Sequence, residues 1–162
     1  MDIISHGVWG ATIIRKPKLF IPIFISGLLP DLISTVIGFI YLQIINGFDL
    51  NFNWGALPDW SRTLYSYSHS IIGLIIFSIL IIIFARHYLI LIFPFAFHIF
   101  LDLFTHVSDP LARIFYPFVE YDSNRLWGIN WWEYPWTSIV SWILLITINI
   151  GFYIYHKNQK TN

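Results

Sequence analysis

The chain has 162 residues, a formal net charge of zero, 57% hydrophobic and 11% charged residues, and no cysteine. So few charges, against roughly 25% in soluble globular domains, point to a membrane as its solvent, and the neutral balance gives no electrostatic basis for binding nucleic acid. The missing cysteines exclude disulfides, thiolate metal sites and cysteine nucleophiles, so any metal must rest on His and carboxylate.

Residues 2–14 are apolar but too short to cross a hydrocarbon core of about 30 Å, which takes roughly 20 helical residues. They end at Arg15, Lys16 and Lys18, with Pro17 as a breaker, and are expected to fold back as a short helix beside the first span. The basic residues follow the apolar run and no small-residue cleavage site comes after, so an uncleaved chain is expected. The first span covers about 19–45. Within it Asp31 follows Pro30, either as a carboxylate at a broken helix or as the N-cap of the helix that resumes. With the turn near 15–18, His6 and Asp31 fall at similar depth, and Gly7 and Gly10 would let the two helices approach closely.

His69 opens a second span near 69–84; Arg86 and His87 then interrupt the apolar run, giving a third near 88–106 and a fourth near 137–155. The expected fold is therefore all-α: one domain over 1–162, an integral membrane bundle of about four transmembrane helices plus the short N-terminal helix. Arg15, Lys16, Lys18, Arg86, Lys157 and Lys160 lie on one side of it and Arg62, Arg113 and Arg125 on the other. The basic side faces the cytoplasm by the positive-inside rule, which suits the cytoplasmic (inner) membrane. Trp127, Trp131, Trp132 and Trp136 then belong to the outer interface.

The strongest local signal is His98-Ile-Phe-Leu-Asp102-Leu-Phe-Thr-His106, three ionisable side chains at i, i+4 and i+8 on nearly one face of an apolar helix. An Asp at the bilayer centre costs roughly 2.5–3.5 kcal/mol on insertion scales, so such groups face a bundle interior and find partners there. A single His in such a helix is more often a satisfied polar contact; three together favour a ligand set. His98 and His106 are about 12 Å apart along the axis, too far to meet at one ion, whereas Asp102 between them is spaced to bridge two. His69 taken alone is more often an interfacial side chain or helix cap than a ligand. His87 and His156, beside Arg86 and Lys157, belong to solvent and headgroups. The expected metal ligands are His6, Asp31, His69, His98, Asp102 and His106, in the outer half of the bilayer, around one or two divalent ions, with zinc the choice for imidazole and carboxylate donors.

His6-Gly near the start, Leu29-Pro30-Asp31, Ser68-His69-Ser70, His98-x-x-Leu101-Asp102 and Phe115-Tyr-Pro117-Phe118 occur in an order that resembles the YdjM-like family of membrane-bound, metal-dependent hydrolases. The resemblance spans about residues 1–135 and extends, through the His-x-x-x-Asp pair at 98 and 102, to the zinc-dependent phospholipase C and nuclease superfamily. It implies phosphoester hydrolysis. Two departures stand out: Ile33 where the family often has a second Asp, and Leu64-Tyr65-Ser66 where it has His-Arg-Gly, with Arg62 a candidate substitute for the missing Arg.

The expected function is hydrolysis of a lipid or lipid-linked phosphoester by metal-activated water. Asp31 or Asp102 would position the water, and Arg113 or Arg125 would offset developing charge. The alternatives are a metal transporter or sensor without hydrolytic activity, and a structural protein whose polar residues only hold helices together.

Overall fold

A computed structural model describes residues 2–48, 56–106, 113–119, 129–130, 133–134 and 136–161, and the described part is helical, without strands. Its elements are α1 (Ile3–Ile14), α2 (Phe20–Asp31), α3 (Ile37–Asn46), α4 (Asp59–Ser68), α5 (Ile71–Phe84), α6 (Ile92–Thr105) and α7 (Trp136–Thr161). Asp2 caps α1 by accepting a hydrogen bond from the Ser5 amide at 2.9 Å. Arg15 ends the helix at φ 53°, its amide donating to Ala11 O, and the chain reverses through a short 3-10 turn at Pro17–Leu19. The expected fold-back of the first helix onto the first span is thus present, with α1 also packed on α6 and α7.

The first span differs from expectation at Pro30. Helix continues from Pro17 to Asn46, and Asp31, at φ −74° and ψ −38°, neither sits at a break nor caps a new helix. Proline removes one helical hydrogen bond and crowds the preceding turn, and the chain accommodates this with a π-helical turn at Leu32–Val36. Ser34 Oγ donates to the Pro30 carbonyl at 2.7 Å, and Ser61 Oγ of α4 donates to the Ser34 carbonyl at 3.0 Å. The widened turn is therefore supplied with donors from within the protein, as backbone remote from water requires.

Three helices are long and apolar enough to cross a membrane: Pro17–Asn46, Arg86–Thr105 and Trp136–Gln159. The expected second span is not a single helix. α5 has 14 residues, and it reaches spanning length only together with α4, from which it bends by 73°. Gly73 makes that bend sterically feasible, since a Cβ there would collide with the Tyr67 carbonyl. Ala85, at φ −143° and ψ 39°, separates α5 from the 3-10 turn that opens the third span. α7 runs to Thr161, past its expected end near 155.

Polarity is distributed inside out relative to a soluble bundle. Ser5, Ser34, Ser61, Ser70 and His98 are fully buried, while Ile44, Ile83, Phe84 and Tyr153 are at least 64% exposed. Helices apolar on their outer faces suit a hydrocarbon environment. α7 is held to α1 by hydrogen bonds from Trp9 Nε1 to Ser141 Oγ (2.9 Å), Trp142 Nε1 to Asp2 Oδ2 (3.1 Å) and Asn149 Nδ2 to Thr12 Oγ1 (2.9 Å).

Candidate metal centre

Two close helix crossings build the site. At Gly27 of α2 a Cβ would lie 3.0 Å from both the Gly7 Cα and the His6 carbonyl, so α1 and α2 meet backbone to backbone. Gly10 serves a different contact from the one expected: a Cβ there would lie 2.7 Å from Pro94 of α6, and its nearest α2 atom is on Ile23 at 3.9 Å. Small residues permit such approaches. The outcome is that His6, one residue before Gly7, is laid against α6, where its ring stacks on that of His98 with centroids 3.9 Å apart.

All six expected ligands gather in one cluster, each at most 8% exposed. His6 comes from α1, Asp31 from the end of α2, His98 and Asp102 from α6. His69 sits at the α4–α5 bend and His106 just past the end of α6, outside helical geometry at φ −132° and ψ 47°. Leaving the helix lets His106 fold back, so its Nδ1 lies 3.0 Å from Asp102 Oδ1. Its backbone is held by a bridge to Asn130, and the neighbouring Ile129 amide donates to the Phe104 carbonyl at 2.8 Å.

Asp102 is the hub. Its Oδ1 faces His6 Nε2 at 3.2 Å as well as His106, and its Oδ2 faces His98 Nε2 at 3.1 Å and His69 Nε2 at 3.4 Å. Asp31 approaches from the side, with Oδ1 at 3.4 Å from His69 Nε2 and Oδ2 at 3.7 Å from His98 Nε2. Two sets of donor groups fall within 4.8 Å of one another: His6, Asp31 and His98, and His69, His98 and Asp102. His98 belongs to both, yet only its Nε2 is free, so it can serve one cation at a time.

Hydrogen bonding outside the cluster orients the imidazoles. His98 Nδ1 is 2.7 Å from the Gly27 carbonyl and His69 Nδ1 is 3.0 Å from the Tyr65 carbonyl. A carbonyl only accepts, so each Nδ1 carries its proton, and in the neutral ring Nε2 is left as a lone pair. These two Nε2 atoms face each other at 3.1 Å, among carboxylate oxygens that also only accept. So many acceptors converging in a buried space need a positive charge between them, as a metal ion or as protons. The orphaned His6 Nδ1, buried without a hydrogen-bond partner, is a further sign that this cluster is built for an additional group. The donor set could hold a metal ion, with the second ring nitrogens of His69 and His98 turned to backbone carbonyls as is usual for ligating His.

Arg62 pairs with Asp59 on the exposed side of α4. Arg113 has its guanidinium 5.7 Å from the centre of the Tyr116 ring. Arg125, Trp127, Trp131 and Trp132 lie outside the described residues. His87 and His156 are exposed. Sequence reasoning missed the Gly27 and Tyr65 carbonyls, which no side-chain pattern announces, and Tyr65 itself, whose ring stacks on His69 at 3.9 Å.

Comparison of the chain with family models, with curated proteins and with solved structures yields no match.

Proposed function

We propose that the chain is a membrane-embedded, metal-dependent hydrolase acting on a phosphoester of a lipid or lipid-linked substrate. The observation that carries the metal is the pair of facing Nε2 atoms of His69 and His98, 3.1 Å apart with both Nδ1 protons committed to carbonyls. Hydrolysis is supported by the ordered motifs from His6 to Phe118 and their resemblance to membrane-bound metal-dependent hydrolases. Zinc held here would supply a Lewis acid and a water acidic enough to act as nucleophile near neutral pH.

The chain's own groups divide the remaining work. Asp102 gathers four imidazoles on its two oxygens, while Asp31 has the most exposed side chain of the cluster, 11% against 5% for Asp102. Asp31 is therefore placed to accept a proton from an incoming water at the edge of the cluster. Position favours a lipid: His6 stands nine residues, about 13 Å along the helix, from the basic turn at Arg15. In a core about 30 Å thick that is close to the midplane, with α6 leading onward into the outer half of the inner membrane.

The test is elemental analysis of protein purified without chelators, followed by incubation with phospholipids and lipid-linked phosphates. One or two zinc equivalents with release of a phosphorylated headgroup are expected. Metal without turnover of any phosphoester would replace the proposal with a metal transporter or sensor, and absence of metal would leave a polar network.

A further inference from the structure

α4 is the most polar of the described helices, and its side chains divide into three faces. Ser61, Tyr65 and Ser68, at i, i+4 and i+7, are buried. Ser61 packs on Gly38 of α3, where a Cβ would collide with its hydroxyl, and the carbonyl and ring of Tyr65 hold His69. Trp60, Leu64 and Tyr67 recur at the same spacing, about 100° away around the axis, and are 38–40% exposed. The Asp59 and Arg62 ion pair occupies the third face, with the Asp59 side chain 91% exposed. This helix adds little to the crossing begun by α5. Its ten residues make about 15 Å of helix, and at 73° to α5 they advance only about 4 Å along that direction. α5 itself has 14 residues, about 21 Å, against a hydrocarbon core of about 30 Å. α4 therefore runs across the end of α5, where hydrocarbon gives way to headgroups, and not through the bilayer.

We propose that α4 is an interfacial helix, seated on the lipids of the outer leaflet by Trp60, Leu64 and Tyr67. The stripe sits among aromatic neighbours: Trp60 meets Tyr41 of α3 edge-on with ring centroids 5.6 Å apart, and Tyr67 meets Tyr116 at 4.8 Å. Trp and Tyr rings concentrate at the membrane boundary because each joins an apolar body to a polar tip. Lipid is the occupant that continuity selects. Through Tyr41 the stripe joins Ile37, Tyr41 and Ile44 of α3, again at i, i+4 and i+7 and 43–77% exposed, on the outer face of a spanning helix. The Asp59 and Arg62 pair is left for water. A helix with rings and aliphatics on one face and charges on another lies in the plane of the interface. α4 thus roofs the His and Asp cluster, holding His69 with one face and meeting lipid with the next. Its depth in the membrane stands independently of what that cluster binds.

The chain has no cysteine, so single cysteines can carry nitroxide labels without background. Trp60→Cys, Leu64→Cys, Tyr67→Cys, Asp59→Cys and Arg62→Cys are compared in vesicles of phosphatidylcholine and phosphatidylglycerol. Ile76→Cys, at a 52% exposed position within α5, is the deep reference. Collisions are read with oxygen, which concentrates in hydrocarbon, and with a water-soluble nickel chelate. Oxygen should dominate at the three stripe positions, at a depth of about 5–10 Å below the headgroup boundary and shallower than at Ile76. Nickel should dominate at the Asp59 and Arg62 positions. Nickel dominance at the stripe as well would place α4 in water and overturn the proposal. Oxygen dominance at all five α4 positions would make the helix part of a span. Protection of the stripe from both agents would assign it to a protein partner or a second copy of the chain. If Trp60→Cys or Tyr67→Cys does not elute as a single species, Leu64→Cys against Arg62→Cys decides, because the ring contacts to Tyr41 and Tyr116 belong to Trp60 and Tyr67.

Discussion

His98 Nδ1 lies 2.7 Å from the carbonyl oxygen of Gly27, which joins a ligand of α6 to the point where α1 and α2 cross most tightly. One glycine thus sets both the tautomer of His98 and the distance at which His6 arrives. Gly27→Ala would place a methyl group 3.0 Å from the Gly7 Cα and the His6 carbonyl. Overpacking of this kind typically costs about 1–3 kcal/mol. Gly27→Ala should therefore lower both thermal stability and metal content although it removes no ligand, whereas Gly151→Ala, in open space on α7, should change neither. Thermal melts and elemental analysis of the two variants check this.

The helical class, the fold-back at Arg15 and the six cluster residues were legible because each has a local signature: an apolar run of stated length, a basic turn, or an ionisable group in an apolar helix. The bend between α4 and α5 was not. Ile71 to Phe84 is as apolar as a spanning helix, and the geometry turns on Gly73 and the Ser70 cap, which depend on where α4 lies. Pro30 misled in the other direction. Read locally it breaks a helix, but Ser34 and Ser61 supply hydrogen bonds that let the span continue through a π turn. His106 was expected on the α6 face and instead leaves the helix, because Asn130, distant in sequence, holds its backbone.

Membrane orientation yields a clean prediction, because the native chain has no cysteine to interfere. Phe48, 83% exposed after α3, belongs to the outer side in the proposed orientation, and Lys16 and Asn158 to the cytoplasmic side. Phe48→Cys should react with an impermeant thiol reagent in intact cells, and Lys16→Cys and Asn158→Cys only after the membrane is opened. Labelling of Asn158→Cys in intact cells would invert the topology.

Metal removal should be readable as lost stability. A ligand that binds only the folded chain stabilises it by about 4 kcal/mol when present at a thousandfold its dissociation constant. Chelator treatment followed by dialysis should therefore lower the melting temperature, and zinc should restore it. The same treatment of His98→Ala should produce no shift, while His87→Ala and His156→Ala, on exposed residues, should respond as the native chain does. A melting temperature indifferent to chelator would speak for protons rather than metal between His69 and His98.

Asp102→Asn distinguishes a cation centre from a hydrogen-bonded network most directly. The native carboxylate faces two imidazoles from each oxygen, at 3.0 to 3.4 Å. An amide has nearly the same shape and still accepts at its oxygen, but it carries no charge and its nitrogen donates. In a network held by protons, the amide could donate to an imidazole lone pair, and the fold should survive with little loss. Around a metal, the same change removes a charged ligand and points N–H bonds at the cation, so metal content should fall well below that of the native chain and any phosphoester hydrolysis should cease. Asp31→Asn gives the complementary reading. Its carboxylate sits farther from His98, at 3.7 Å, so metal should be largely retained while turnover is lost if Asp31 serves the water rather than the ion. Full metal content and full activity in Asp102→Asn would leave a polar network as the account of this cluster.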